Sequence, residues 1–496
     1  MKIAAVRVLA WAASGTFLAV AAPPAAAGDS GTAGDGRTNV ILLMVDDLDV
    51  ASLDAAVAAG YMPNFVEHVA GPGTTFSESF VTLSLCCPSR STMLTGQYPH
   101  NHGVIRNSGA FGGFQRFDDR STLATWLRDG GYHTGHVGKY LNGYADAAYV
   151  PPGWDDWQAL VDPTTYCMYD YTISDNGVPV GYGAAEADYQ TDVLAGRADD
   201  FIREWHEQGD PRPFYLSITP LAPHAESACR NGVRPAPRHL GTPRLPLPRP
   251  PSFNEQLMGD KPTWMRSLPL LRPEAVENVY NERIAALRAV DDLVGTLGRR
   301  LGEVGAASRT AFIFTSDNGY LLGQHRWRSK VLLYEESIRV PLIVRVPGTG
   351  QPPRVEAIVL NNDLAPTIAA LAGIEPALAV DGRSLLPLLE GASPRWRERF
   401  LVEFPPADDS AGIPPFFAVR TASGAAGGPL LYAETWDFSG TRITDREHYD
   451  LTLDPLQLQS LHRRLSPLRV QQRRVLSDEL QQLKTCGGGT CQTIEE

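Results

Sequence analysis

Positive charge is what this chain most conspicuously lacks. Across 496 residues, 44 Lys and Arg stand against 56 Asp and Glu, a formal net charge of −12. No global basic field exists for a nucleic acid, so an anionic partner must be captured by local cations in a specific pocket. Cysteine is scarce too, and six residues cannot form the main scaffold of a chain this long. Beyond the N-terminus no apolar run is long enough to span a bilayer, and no internal repeat stands out. What is present is ordinary globular composition, 43% hydrophobic and 20% charged. That suffices for one large core plus a smaller domain.

Residues 1–27 read as a secretory signal peptide. Lys2 and Arg7 form a basic region, residues 8–22 an apolar one, and Ala25-Ala26-Ala27 a small-residue cleavage site. A secreted or extracytoplasmic location follows; a membrane anchor is the alternative reading. Residues 28–37 form a Gly/Asp/Thr-rich flexible leader. Export permits disulfides. Cys486 and Cys491 flank three glycines that let the chain turn back on itself, and a disulfide is expected there. Spacing alone leaves the pairing of Cys167 with Cys229 open.

Short continuous apolar runs at residues 39–45 (NVILLMV), 214–219 (FYLSIT), 311–316 (AFIFTS) and 341–346 (PLIVRV) suit strands buried on both faces. Helical patterns fall between them, at 184–204, 274–301 and 362–372. The alternation predicts an α/β fold over residues 38–394, a large mainly parallel sheet covered by helices on both faces. Residues 234–251, dense in Pro and Arg, read as an extended surface loop. A solvated linker is its ordinary meaning; contact of its arginines with an anionic polymer is the alternative. Residues 395–496 predict a smaller C-terminal α+β domain. Its short antiparallel strands lie near 400–403, 416–420, 430–435 and 448–451, with a terminal helix at 466–483.

The chemistry centres on residues 84–106, SLCCPSRSTMLTGQYPHNHGVIR. Pro88 suits the first turn of a helix. An anion there would meet free backbone N–H groups, and Arg90 adds a fork-shaped cation one turn in. Asp46 and Asp47 end the first predicted strand, and Asp317 and Asn318 end another. In an ideal strand adjacent side chains point oppositely, so Asp46 and Asp47 converge only where the strand breaks. Strand C-termini are where open α/β sheets place ligands. Four oxygen donors at two strand ends favour a hard cation, Ca²⁺ or Mg²⁺, over Zn²⁺.

The order C-x-P-S-R followed by L-T-G, at Cys86, Pro88, Ser89, Arg90, Leu94, Thr95 and Gly96, resembles the signature of type I sulfatases. These are formylglycine-dependent members of the alkaline phosphatase superfamily. The resemblance implies that Cys86 is converted to formylglycine by an installing enzyme and that Cys87 is a variable position, which leaves Cys87 as the odd thiol, most simply buried. It implies metal ligands at Asp46, Asp47, Asp317, Asn318 and residue 86, usually around Ca²⁺, and the alkaline-phosphatase-like fold. Lys139 in GKYLNG resembles the family's sulfate-binding lysine, and His224 in LAPH its leaving-oxygen histidine. Lys330 takes the ester-bridging side of the sulfate, with His325 a weaker substrate-side candidate. One departure stands out: many sulfatases carry a histidine where this chain has Leu141. His102, His133, His136 or a water is left to substitute for it.

Several stretches, among them GKYLNGY, TSDNGYLLGQH and CGGGTC, look most like the subgroup acting on 6-O-sulfated N-acetylglucosamine. The implied substrates are sulfated sugars or aryl sulfates. A phosphate or phosphonate ester hydrolase of the same fold, and a noncatalytic glycan-binding protein, are the competing readings.

Overall fold

The computed structural model describes residues 36–496 except 231, 349, 408–411, 426 and 465. The expected signal peptide and the leader up to residue 35 lie outside the described residues. Ten strands form the main sheet. From one edge the order is 354–355, 74–76, 342–345, 310–316, 39–45, 214–219, 133–138, 156–160, 172–175 and 178–181. The five central strands, 310–316 through 156–160, are parallel. The edges are largely antiparallel.

The 342–345 strand runs antiparallel to 310–316. The chain between them holds only a two-strand hairpin and the four-residue helix Glu335–Ile338, with no crossover helix to carry it back in the same direction. The central strands are apolar throughout because both faces are covered. Along Asn39–Val45, Ile41, Leu43 and Val45 join one core, while Val40, Leu42 and Met44 join the opposite one. The first core is roofed by the helices Gln190–Glu207 and Pro273–Glu303, the second by Leu123–Asp129, Leu364–Leu371 and the site helix Cys86–Thr95.

Strands 399–404, 416–421, 430–436 and 443–450 form the separate antiparallel C-terminal sheet. The helix Pro467–Leu483 packs on it through Leu476, Leu480 and Leu483. Their core also contains Phe80, Leu83, Tyr98 and Tyr334, so the change of sheet near residue 395 is not a break in packing. Arg397, fully buried, bonds both oxygens of Asp363 at 2.7 and 2.9 Å and Glu495 at 2.8 Å, tying the last helix to the larger body. Two disulfides are present, Cys486–Cys491 and Cys167–Cys229.

Candidate active site

Four neighbouring parallel strands end at one place, and each delivers a titratable side chain there. Strand 39–45 leads to Asp46 and Asp47, 310–316 to Asp317 and Asn318, 133–138 to Lys139, and 214–219 through a short turn to His224. Asp47 adopts φ 66°, the left-handed break that lets its carboxylate turn toward that of Asp46. Gly138, at φ 118°, lies so close to the next strand that a Cβ would sit 2.4 Å from the Thr219 carbonyl oxygen. This explains the glycine before Lys139. On the site helix, Gly96 is the left-handed C-cap, so the L-T-G triplet marks where the helix stops.

Cys86 is the first residue of that wholly buried helix. Its Sγ lies 3.6 Å from Asp46 Oδ1 and 2.7 Å from Lys330 Nζ. Lys330 also bonds Asp47 Oδ1. Lys139 Nζ is 2.5 Å from Asp46 Oδ2. Arg90 spans the floor: Nε donates to Asp317 Oδ2 at 2.9 Å, Nη1 to the Lys139 carbonyl at 2.6 Å, and Nη2 reaches Asp46 Oδ2 at 3.4 Å. His224 donates Nδ1–H to the Ala225 carbonyl at 2.6 Å, which leaves Nε2 facing Asp47 Oδ2 at 3.5 Å. Cys87 is buried, and its backbone N–H donates to Asn107.

Burial raises the Asp46 carboxyl, yet Lys139, His224, Lys330 and Arg90 together hold it well below the usual range. Burial works against charge on both lysines, but Asp46 beside Lys139 and Asp47 beside Lys330 hold them well above theirs. Burial pushes the Cys86 thiol up to about 12, with Asp46 adding to the effect. An unmodified thiol here is therefore a poor nucleophile at neutral pH. Burial lowers His224 despite the neighbouring aspartates.

The cluster offers ligands for a divalent cation. Ligand atoms of Asp46, Asp47, Cys86 and His224 lie within 4.8 Å of one another. Asn318 Oδ1 is buried with no hydrogen-bond partner among the described residues. Asp317 is more committed: Oδ1 accepts the Asp47 N–H at 3.1 Å and Oδ2 takes Arg90.

The other histidines lie elsewhere. His133 begins its strand, at the end opposite Lys139, beside Asp210. His136 is buried against Trp157 at 4.8 Å and Trp154 at 5.3 Å. His102 hydrogen-bonds Thr92 and the Val104 N–H. None of the three takes the place vacated at Leu141, which itself packs into the core with Tyr140 and Trp157. His325 is fully buried, its Nδ1 bonded to Glu255 at 2.7 Å and its ring stacked on Tyr334 at 3.9 Å.

Two site residues escaped the sequence reading. Arg283 donates to the Asp47 carbonyl and to Asp49 Oδ2 at 3.2 Å. Its signal was available, an arginine on the apolar stripe of its helix between Tyr280 and Leu287. Tyr166 puts its ring 4.9 Å from Lys139 Nζ and 5.4 Å from the His224 ring. Nothing local distinguished it from other tyrosines.

Residues 38–374 match the sulfatase family profile, and residues 323–485 that of the N-sulphoglucosamine sulphohydrolase C-terminal region. The chain belongs to the sulfatase family and is a sulfuric ester hydrolase. Among its relatives, human N-acetylglucosamine-6-sulfatase is 33% identical over 93% of this chain and 87% of that protein. An arylsulfatase of Volvox carteri is 35% identical over 70% of this chain and 58% of its own length. A structure solved with its substrate D-glucosamine-2-N,6-O-disulfate superposes with a TM-score of 0.74 at 23% identity, covering 90% of this chain and 97% of that one. Among the described residues no helix is long and apolar enough to cross a membrane.

Proposed function

We propose that the protein is a secreted sulfatase releasing 6-O-sulfate from N-acetylglucosamine in sulfated glycans, with Cys86 converted to formylglycine. The observation that carries the reading is the position of Cys86 at a helix N-terminus, within reach of Lys330 and the Asp46–Lys139–Arg90 cluster. One oxygen of the hydrated aldehyde would take the position of Sγ. Formylglycine hydrate supplies two hydroxyls on one carbon, one to attack sulfur and the other to expel sulfate afterwards; a serine would remain as a stable sulfate ester. Asp46, Asp47, Asp317 and Asn318 would hold a divalent cation, Ca²⁺ or Mg²⁺, whose charge opposes that of the sulfate.

The chain's own residues do the rest. Lys139, Lys330 and Arg90 present positive charge to the sulfate in a site with little water, where such charge counts most. Breaking the ester bond leaves the electron pair on the sugar oxygen, which takes its proton from Lys330. Lys330 is the standing proton carrier, because Asp47 keeps it charged. His224, lowered by burial, holds its Nε2 lone pair toward the cleft.

The likeness to an arylsulfatase favours one second reading, a broad arylsulfatase. Rates on glucosamine 6-O-sulfate, an aryl sulfate and the matched aryl phosphate separate the possibilities. Preference for the sugar 6-O-sulfate is expected, and faster phosphate turnover would overturn the assignment. Peptide mass spectrometry of natively produced protein should show a loss of about 18 Da at Cys86. An intact thiol in active protein would refute the mechanism.

A further inference from the structure

A second cluster of cations lies on chain segments that adjoin those of the centre. A cavity of 490 Å³ opens between Arg230, residues 233–244 and the middle of the helix Pro273–Glu303. Its chemistry is set by Tyr169, Arg230, Arg234, Arg244, Asn281 and Glu282. Among the described residues that line it, Glu282 is the single carboxylate against three guanidinium groups. In a chain of net charge −12 that local surplus is unusual.

The arginines of this stretch divide into two kinds. Arg238 is committed to Asp192 and Asp292, and Arg249 to Glu277 at 3.0 Å. These two fasten the loop to the helices. The three that line the cavity are not so used. Arg244 bonds only a neutral partner, Asn278 Oδ1 at 2.9 Å. Arg234 lies flat over the Tyr169 ring at 4.2 Å and reaches Glu226 only at 3.9 Å. Arg230 is exposed and has no hydrogen bond or ion pair among the described residues. The backbone behind them is held firmly: the Arg234 carbonyl accepts the Tyr189 hydroxyl at 2.8 Å, and Asn281 pins Leu245 through both N–H and carbonyl. With Glu226 reaching Arg234 only at 3.9 Å and Glu282 the one carboxylate facing Arg230 and Arg244, the three guanidinium groups keep donors free for an anion.

Both walls of the cavity are tied to the catalytic centre. Tyr169 follows Tyr166, which faces Lys139 and His224, by three residues, a span of at most about 11 Å. Cys229, next to Arg230, is disulfide-bonded to Cys167, next to Tyr166. On the other wall, Glu282 precedes Arg283, whose guanidinium bonds the Asp47 carbonyl. A ligand anchored by sulfate at the centre and extended by a sugar or two would arrive at these arginines.

We infer that this cavity is a subsite for a second, anionic sugar of the substrate, bound through its sulfate or carboxylate by Arg230, Arg234 and Arg244. The inference rests on the sulfatase reading above and deepens it: the enzyme acts on chains, and the charge of the neighbouring sugar sets specificity. The arginines touch no reacting atom, so they govern KM for oligosaccharides rather than the chemical step.

The test compares glucosamine 6-O-sulfate with a heparin-derived tetrasaccharide bearing that sugar at its nonreducing end. Two further forms of the tetrasaccharide, one desulfated at the neighbouring sugars and one carboxyl-reduced, show which anion is read. Arg230→Ala and Arg244→Ala are expected to raise KM for the intact tetrasaccharide about fivefold each, the equivalent of ~1 kcal/mol. Monosaccharide kcat/KM should stay within about twofold of wild type, and added salt should erase the tetrasaccharide's advantage. Equal loss on both substrates, or no loss on the tetrasaccharide, overturns the subsite. If no 6-O-sulfate is released from any sugar, calorimetry of the same tetrasaccharide with Cys86→Ala protein still decides. Weaker binding after Arg230→Ala upholds the subsite while the catalytic reading falls, and unchanged binding removes it.

Discussion

Arg90→Lys isolates geometry from charge at the centre. The guanidinium makes four contacts: Asp317 at 2.9 Å, the Lys139 carbonyl at 2.6 Å with the Tyr140 carbonyl at 3.5 Å beside it, and Asp46 at 3.4 Å. All lie in a region closed to solvent, with Arg90 itself 1% exposed. Lysine keeps the positive charge but is a point donor on a flexible stem, and cannot bridge the same span. Two buried acceptors then lose their partner, at about 1–3 kcal/mol each. Taking ~3 kcal/mol of that in the transition state gives a fall in kcat/KM on the order of 10²-fold. The assay is aryl sulfate hydrolysis, with each rate divided by the formylglycine content at residue 86 from peptide mass spectrometry. That normalisation matters because Arg90 lies within the motif that resembles the modification signature. Bound metal is measured alongside, since Asp46 and Asp317 are both oriented by Arg90. A normalised kcat/KM within about threefold of wild type would refute the argument that the fork shape matters.

Cys86→Ser should leave the fold intact and release about one equivalent of alcohol per site before stopping, since the serine sulfate has no second hydroxyl to expel it; sustained turnover would contradict the mechanism. Gly138→Ala should depress activity by displacing Lys139, because the new Cβ collides with the Thr219 carbonyl; unaltered kcat/KM would show the close approach to be immaterial. Arg397→Met leaves buried Asp363 without its cation and Glu495 with only Arg383 at 3.3 Å, and a loss of about 3–5 kcal/mol in urea unfolding is expected; a change under about 1 kcal/mol would refute it. Burial opposes charge on His100, but Glu403 at 2.9 Å overrides it and raises the imidazole to about 9. A group raised on folding stabilises fully below its unfolded value near 6.5 and loses that contribution as pH rises through about 9. Between those limits wild type should therefore lose up to ~3 kcal/mol more stability than His100→Gln; parallel pH profiles would contradict this. His102, lowered to about 3 by burial, stays neutral throughout that window.

The sequence by itself determined most of what is local. Apolar runs without alternation implied strands covered on both faces, and 39–45 and 214–219 appear with those bounds. Pro88 and Gly96 bracketed the site helix, because a missing N–H and a left-handed residue act within one turn. Acidic residues closing two apolar strands were visible for the same reason. Tertiary structure alone decided direction and company. The 342–345 strand reads like its neighbours, yet it runs the other way, since direction depends on the connection and not on side-chain pattern. His136 and His325 look as reactive as His224 in the sequence, but two of the three are sealed among aromatic rings. Arg283 and Tyr166 reach the centre from elements far along the chain. Whether an arginine is a fastener, like Arg238, or unpaired, like Arg230, depends on which carboxylates folding brings within about 4 Å, a distance no spacing along the chain encodes.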